Sequence, residues 1–338
     1  MVSAVDAISI PVVGRRLSQS ITFAALATFT VSSFAMAQTG CRIQDREVFS
    51  PEGKTVAVGS KPGAPSDARF VLFQSRLRVN TDGAPNSYHP DDPEGRIRAI
   101  NNIANAIGVR RNGKSASYVE KIRVFEEFRD HDWTVPAGYQ ITWQNVLAAR
   151  TEKSRKVPCV FTSGEYNGYF GSLTGLTNQL PDAVADECNA ANQLDQRFIP
   201  ALVMAGGHNP LKKFGASIGD LVIAINPING AVQAAVVGDS GPPDNLGEGS
   251  VALNMSLLKR MRQPTNYSET KTLDTGSQEM IIAIIPHTAE YEIQRPYSAD
   301  NINARVIVWL SSHGYESLQN FSATAQGCAG QLIKGTAR

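Results

Sequence analysis

Two carboxylates, Asp239 and Glu248, lie nine residues apart on either side of a loop rich in glycine and proline. The loop, residues 236–250, ends an apolar run and leads into a helix-like segment, so both side chains can face one groove. Hydrolysis of a glycosidic bond needs such a pair. One group protonates the departing oxygen, and the other activates a water or attacks the sugar carbon. The spacing alone also fits an ordinary surface loop with Glu248 near a helix start.

The size and charge of the chain set broad limits on its function. It has 338 residues, a length that is enough for one large domain or two small ones. Its formal net charge is +1. The near-zero charge gives no global sign of a nucleic acid or a membrane surface as partner. Selection for a charged substrate must therefore come from local clusters of charge. No organic cofactor is implied.

The N-terminal residues 1–37 have the pattern of an export signal. Arg15 and Arg16 precede the apolar run 21–34, and Ala35-Met36-Ala37 forms a small-x-small cleavage site. The run is short for a membrane span. We therefore expect a secreted protein, extracellular or periplasmic.

The rest of the chain reads as one domain with a short lead-in. Residues 38–69 are rich in Gly, Pro, Ser and Lys, which predicts an extended lead-in. No repeat, low-complexity block or clear boundary follows residue 70, so we assign residues 70–338 to a single domain.

Four cysteines remain after the export signal, and in an exported chain an even count predicts two disulfides. Three pairings are possible. We predict Cys159–Cys188, which closes a local loop, and Cys41–Cys328, which ties the ends of the chain together. A metal site is not indicated, because the sequence has no CxxC motif and no nearby His pair at ligand spacing.

Apolar periodicity predicts both helices and strands. Helices are predicted at residues 93–107, with Asp92 as N-cap, and at residues 117–129 and 250–261. Strands are predicted at residues 70–79, 198–204, 219–225, 231–237, 281–285 and 305–310.

The loop also carries a resemblance to a known family. Residues 235–242 (AVVGDSGP) and 246–253 (LGEGSVAL) resemble the core motif of glycoside hydrolase family 75, the fungal-type chitosanases and their bacterial relatives. Residues 77–90 resemble the DTDGAP segment of bacterial members, and residues 198–203 and 218–220 resemble two further segments. The segment from Cys159 to Cys188 departs from the family pattern, which puts the substrate preference in doubt.

This resemblance implies an inverting endo-hydrolase of β-1,4-linked glucosamine, that is, of chitosan. It implies that residues 70–338 are the catalytic domain, with Glu248 as acid and Asp239 as base. A helix that begins after Glu248 would instead favour its ionised form. We expect an α+β fold: a β-rich single domain with a barrel-like core and peripheral helices.

Chitosan is polycationic, so its binding subsites should be acidic. The substrate-binding candidates are Asp82, Asp91, Asp220 and Asp244, and His89 could orient a carboxylate. Each has a structural alternative: Asp82 could hold its turn, Asp220 could bond the backbone, and a loop histidine is often exposed.

Three other functions fit parts of the sequence. Residues 238–242 (GDSGP) also resemble the nucleophile loop of trypsin-like proteases, with Ser240 as nucleophile, but Pro242 removes an N–H and stiffens the loop. The chain could instead be a non-catalytic secreted carbohydrate-binding or wall-associated protein. It could also hydrolyse a different amino-sugar polymer.

Overall fold

The computed structural model describes residues 40–181 and 186–334, and the predicted export signal, residues 1–37, lies outside them. This part of the chain contains fourteen strands: β1 (Arg42–Phe49), β2 (Lys54–Ser60), β3 (Phe70–Ser75), β4 (Arg78–Asn80), β5 (Gly108–Arg111), β6 (Lys114–Ser115), β7 (Tyr139–Thr142), β8 (Ala149–Glu152), β9 (Arg155–Pro158), β10 (Ala201–Ala205), β11 (Leu221–Ile225), β12 (Val232–Gly241), β13 (Gly247–Ser250) and β14 (Met280–Ile285). It also contains seven α-helices: α1 (Ile103–Ala106), α2 (Tyr118–Asp130), α3 (Pro210–Lys213), α4 (Val251–Leu257), α5 (Tyr267–Lys271), α6 (Ala299–Ser312) and α7 (Leu318–Lys334).

Nine strands form one mixed sheet, in the order β1-β2-β3-β14-β11-β12-β10-β13-β4. The β10–β12 and β13–β4 pairs are parallel, and the other neighbours are antiparallel. The predicted α+β class is confirmed. The sheet begins at β1 and ends at β4, so the described residues do not form a closed barrel.

The sheet is strongly curled, although its two edge strands do not pair with each other. Phe49 and Val56, from the first two strands, share one apolar cluster with Leu202 and Leu246, which lie near the other end of the sheet. The β1–β2 turn also reaches the loop before β13, where the Glu52 carboxylate accepts a hydrogen bond from the Leu246 N–H at 2.8 Å. The sheet therefore wraps its core without closing a ring of hydrogen bonds.

The predicted lead-in, residues 38–69, contributes the β1–β2 hairpin, which pairs with β3 and extends the sheet. The predicted strand 70–79 is split at Arg76 and Leu77. Its first part, β3, pairs with β2 and β14, whereas its second part, β4, pairs with β13 at the far end of the sheet.

Helices α6 and α7 cover the opposite face of the sheet and bury Trp309, Phe321 and Cys328 there. The predicted strand at residues 305–310 was wrong, because this run lies in α6. A capping box between Ser298 and Asn301 starts the helix. The buried apolar positions then recur at helical spacing, which outweighs the β-propensity of the run.

The residues between β4 and β10 form a smaller substructure with its own core. That core contains Phe125 and Phe128 from α2 and also Trp143 and Phe170. Helix α2 matches its prediction, with the Ser117 hydroxyl as N-cap acceptor.

The predicted helix at residues 93–107 was wrong over most of its length, since α1 covers residues 103–106 alone. The Asp92 carboxylate caps a loop there. It accepts hydrogen bonds from the backbone N–H groups of residues 96–99, at 2.8–3.0 Å. These donors are thus satisfied without helical bonds.

Both predicted disulfides are present. Cys41–Cys328 joins the residue before β1 to α7, and Cys159–Cys188 lies within the substructure between β4 and β10. None of the helices in residues 40–181 and 186–334 is long and apolar enough to cross a bilayer.

Removal of the Cys41–Cys328 bond should destabilise the protein more than removal of Cys159–Cys188. The two bonds span sequence separations of 287 and 29 residues, and the longer loop loses more entropy on closure. We expect the free energy of unfolding to fall by about 5–6 kcal/mol for Cys41→Ala/Cys328→Ala and by about 3.5 kcal/mol for Cys159→Ala/Cys188→Ala. Urea unfolding measures both, and the reverse order would contradict the expectation.

Candidate active site

A row of four residues crosses one end of the large sheet. Val203 on β10 pairs with Asp239 on β12 at one side and with Glu248 on β13 at the other. Glu248 pairs in turn with Arg78 on β4. Paired residues project from the same face, and neighbouring strands lie about 4.8 Å apart, so the Cα atoms of Asp239 and Glu248 are about 10 Å apart. The two carboxylates therefore face one cleft from opposite sides of Val203.

A β-bulge at Gly238 aims Asp239 into this cleft. Leu202 pairs with Val237, but Val203 pairs with Asp239, so Gly238 is the extra residue. With regular pairing, Asp239 would lie opposite Met204 and face the apolar core. A Cβ atom at Gly238 would lie 2.8 Å from the Ala201 Cβ, so the bulge requires glycine.

Two side-chain amides hold Glu248. Its Oε1 accepts a hydrogen bond from Asn245 Nδ2 at 2.8 Å, and its Oε2 accepts one from Asn80 Nδ2 at 3.1 Å. The following helix is capped by Ser250, and Glu248 itself lies on the strand before it. Two neutral amides thus fix the orientation of the carboxyl group, one at each oxygen.

Asp82 lies in the same cleft, in the turn that follows β4. Its Oδ1 accepts a hydrogen bond from the Tyr88 hydroxyl at 2.8 Å, and its Oδ2 accepts one from Asn80 Nδ2 at 3.3 Å. The Asn80 amide thus bridges Asp82 and Glu248. Asn101 Nδ2 donates to the Tyr88 hydroxyl at 3.0 Å, which fixes the phenol against Asp82.

Burial changes the acidity of two of these carboxyl groups. Loss of hydration raises the pKa of Asp82 to about 7; the Tyr88 hydrogen bond lowers it, and the charges of Asp239 and Glu248 add to the rise. Burial likewise raises the pKa of Asp239 to about 6, although the backbone N–H groups of Ser240 and Gly175 lower it. The cleft therefore contains carboxyl groups that titrate near neutral pH.

The cleft is a cavity of about 770 Å³, large enough for several sugar rings. Besides the carboxyl groups its lining includes four amides, two tyrosines and two cations: Asn80, Asn101, Asn105, Asn145, Tyr88, Tyr267, Arg78 and Lys271. Lys271 forms an ion pair with Asp274.

The cleft does not support a serine-protease function. Ser240 lines it, but among the described residues of the lining there is no histidine that could act as the base. Within residues 40–181 and 186–334, no group of three or more His, Cys, Asp or Glu side chains is arranged to hold a metal ion.

Two of the predicted substrate-binding aspartates lie away from the cleft. Asp220 is buried, and its carboxylate accepts hydrogen bonds from the Ser217 and Thr288 N–H groups, both at 2.8 Å, which ties the start of β11 to the segment after β14. Asp91 is exposed and lies 3.7 Å from Arg129. Asp220 therefore has a structural role, and Asp91 lies on the surface.

His89 and Asp244 are also outside the lining of the cleft. The His89 ring packs against Tyr169 at 4.8 Å between centroids, and its Nδ1 accepts from the Asp91 N–H at 3.0 Å. Asp244 is exposed beside a neighbouring cavity of about 520 Å³, which also contains Lys54. Of the five predicted substrate-binding residues, Asp82 alone lines the cleft with Asp239 and Glu248.

The amides and the phenol around the carboxylates were not predicted from the sequence. Asn80, Asn101 and Asn245 were not singled out, and Tyr88 was not assigned as a hydrogen-bond donor. One local signal existed: the Asp82 N–H donates to Asn80 Oδ1 at 2.8 Å, which is the side-chain turn that an asparagine two residues earlier favours.

Comparison with known proteins adds nothing to this geometry. No family model matches the chain, and no curated protein matches it.

The substitution Asp82→Asn should stabilise the protein at pH 8 and have little effect at pH 4. Because the folded pKa of Asp82 is raised, the folded chain binds its proton more tightly, and stability falls as pH rises from about 4 to about 7. Removal of this charge should raise the free energy of unfolding at pH 8 by up to about 4 kcal/mol, because the pKa rises from 3.8 to about 7.

Urea unfolding at both pH values measures this effect. The control is Asp130→Asn, which removes an exposed carboxylate paired with Arg129 and should not stabilise the protein. Loss of stability in Asp82→Asn at pH 8 would contradict a buried, destabilising charge at this position.

Proposed function

We propose that the protein is a secreted glycoside hydrolase that cleaves β-1,4-linked glucosamine polymer, chitosan, with inversion. The observation that carries the proposal is the placement of Asp239 and Glu248 on opposite sides of Val203, on one face of one cleft. Their side chains extend into the cleft from positions about 10 Å apart. Inversion requires carboxyl groups roughly 6.5–9.5 Å apart, which leaves room for a water beside the sugar.

Asp239 is suited to the role of base. Its carboxylate is enclosed, and a pKa of about 6 makes it a better proton acceptor than an exposed aspartate while leaving it ionised at neutral pH. Glu248 faces it across the site, where it can protonate the departing glycosidic oxygen, the role that the motif resemblance implies for it.

The charge of the cleft supports a substrate that carries amines. Its lining has three acidic side chains, Asp82, Asp239 and Glu248, against Arg78 and Lys271, and Lys271 is already paired with Asp274. The amides of the lining can bind sugar hydroxyl groups, because each offers both donors and an acceptor. The motif resemblance supports chitosan in particular.

The proposed setting is outside the cell. The export pattern of residues 1–37 and the two disulfides both support secretion. The polysaccharide is then the partner, without nucleic acid, membrane or cofactor.

A different amino-sugar polymer is the second candidate. Arg78 is exposed and lines the cleft beside Glu248, where it could bind a substrate carboxylate such as those of a peptidoglycan strand. The segment from Cys159 to Cys188 also departs from the chitosanase pattern. A non-catalytic carbohydrate-binding protein would use the same cleft without turnover.

The protein without residues 1–37 should release reducing ends from chitosan. Asp239→Asn and Glu248→Gln should each lower the rate at least about 100-fold, because each removes a group that acts on the reacting atoms. Asp130→Asn, an exposed carboxylate at the end of α2, is the matched control and should keep the rate of the wild type. Proton NMR of the first products should show the α-anomer.

The outcomes separate the candidates. Binding of chitosan without release by the wild type would reject the hydrolase function. Release from peptidoglycan but not from chitosan would support the second candidate. Release that survives both substitutions would reject the site.

A further inference from the structure

The cleft contains a third carboxyl group, Asp82, which the paired mechanism of Asp239 and Glu248 leaves without a role. It lies in the turn after β4, and both of its oxygens accept hydrogen bonds. Oδ1 accepts from the Tyr88 hydroxyl at 2.8 Å, and Oδ2 accepts from Asn80 Nδ2 at 3.3 Å. Each oxygen of Asp82 thus already holds a neighbouring side chain.

Asp82 fixes the Asn80 amide at both of its ends. The Asp82 N–H donates to Asn80 Oδ1 at 2.8 Å, and Asp82 Oδ2 accepts from Asn80 Nδ2. A backbone N–H can only donate, so the atom that faces it must be the amide oxygen, and the amide nitrogen must face the carboxyl groups. The amide cannot turn over without losing both bonds.

The nitrogen that Asp82 fixes also holds Glu248. Asn80 Nδ2 lies 3.1 Å from Glu248 Oε2 and 3.3 Å from Asp82 Oδ2, and because an amide nitrogen carries two hydrogens, each carboxyl group can accept one. The strands support this contact, since β4 pairs with β13 and places Asn80 opposite Ser250 and Arg78 opposite Glu248. Backbone pairing and Asp82 together therefore determine where the amide meets Glu248.

Asp82 is in turn held by the substructure between β4 and β10. The Tyr88 hydroxyl, which donates to Asp82 Oδ1, accepts from Asn101 Nδ2 at 3.0 Å. A chain of hydrogen bonds thus runs from Glu248 on the sheet through Asn80, Asp82 and Tyr88 to Asn101. The position of Glu248 therefore depends on contacts that begin outside the sheet.

We propose that Asp82 is a positioning residue that acts through Asn80 to hold Glu248 at the glycosidic oxygen, a role that rests on the proposed hydrolase function. This role differs from the direct contact with substrate that the sequence predicts for Asp82. A proton donor works within a narrow range of distances and directions, and a displacement of about 1 Å can cost about 100-fold in rate. The two bonds from Asp82 to the Asn80 amide supply that precision.

Two leaving groups test whether Asp82 acts on the proton donor. Asp82→Asn keeps the shape of the side chain and the backbone bond to Asn80, but it offers one acceptor oxygen to two donors, the Tyr88 hydroxyl and the Asn80 nitrogen. We expect kcat on chitosan to fall about 10- to 100-fold with little change in KM. On a 2,4-dinitrophenyl glycoside of a glucosamine oligomer kcat should fall less than about 3-fold, because dinitrophenolate leaves without protonation.

A double-mutant cycle tests whether the effect passes through Asn80. Asn80→Ala should show the same contrast between the two substrates. Asp82→Asn/Asn80→Ala should lose no more activity than Asn80→Ala alone, because the contact through which Asp82 acts is already lost. Each variant is measured at its own pH optimum, which separates the position of the donor from its pKa. The controls Asp130→Asn and Asn112→Ala, at exposed positions outside the cleft, should match the wild type.

The results can overturn the role of Asp82 and leave the hydrolase function standing. Losses that multiply in the double variant, or an equal loss on both substrates by folded variants, would reject positioning through Asn80. A raised KM with unchanged kcat would also reject it, in favour of direct binding of substrate by Asp82. Urea unfolding shows which variants are folded. If Asn80→Ala is not, Asn80→Ser takes its place, since a serine hydroxyl can accept the Asp82 N–H but is too short to reach Glu248. If the wild type cleaves neither substrate, the hydrolase function fails and the positioning role fails with it.

Discussion

The cleft depends on one extra residue in β12. The bulge at Gly238 shifts the register between β10 and β12, so Asp239 leaves the core face and joins Val203 and Glu248 on the cleft face. A regular strand would bury Asp239 against Met204 and the apolar cluster, where an ionised carboxylate is costly. Residue 238 must also be a glycine, because Ala201 leaves no room for a Cβ atom at this position.

The second constraint is the burial of two acidic groups, Asp82 and Asp239, which lowers the free energy of unfolding when they are ionised. The raised pKa values of Asp82 and Asp239 mean that the fold weakens as these groups ionise. The rest of the molecule offsets this with the core inside the curled sheet, the second core under α6 and α7, and the Cys41–Cys328 bond. A site that destabilises its own scaffold is common where function requires unusual acidity.

Several distant segments complete the site. The groups that hold the carboxylates come from β4, from the loop before β13 and from the substructure between β4 and β10: Asn80, Asn245, Tyr88 and Asn101. The Asn80 amide lies within hydrogen-bond distance of both Asp82 and Glu248, so the positions of these two carboxyl groups depend on one side chain.

The sequence by itself predicted much of this protein: the α+β class, the helix at residues 117–129, the strands at 219–225 and 231–237, and two disulfides, whose predicted pairing was one of three possible. It also singled out Asp239, Glu248 and Asp82, because a motif and a turn mark them. Tertiary structure decided the rest. Residues 305–310 are helical because the capping box that starts α6 and the buried face of this helix outweigh their β-propensity. The Asp92 carboxylate caps a loop and not the predicted helix. Four predicted substrate-binding residues lie outside the cleft: Asp220, Asp91, His89 and Asp244. Contacts between distant segments set the direction of each of these side chains, and the periodicity of a sequence carries no information on such contacts. The same long-range pairing, through one bulge, brought Asp239 to face Glu248.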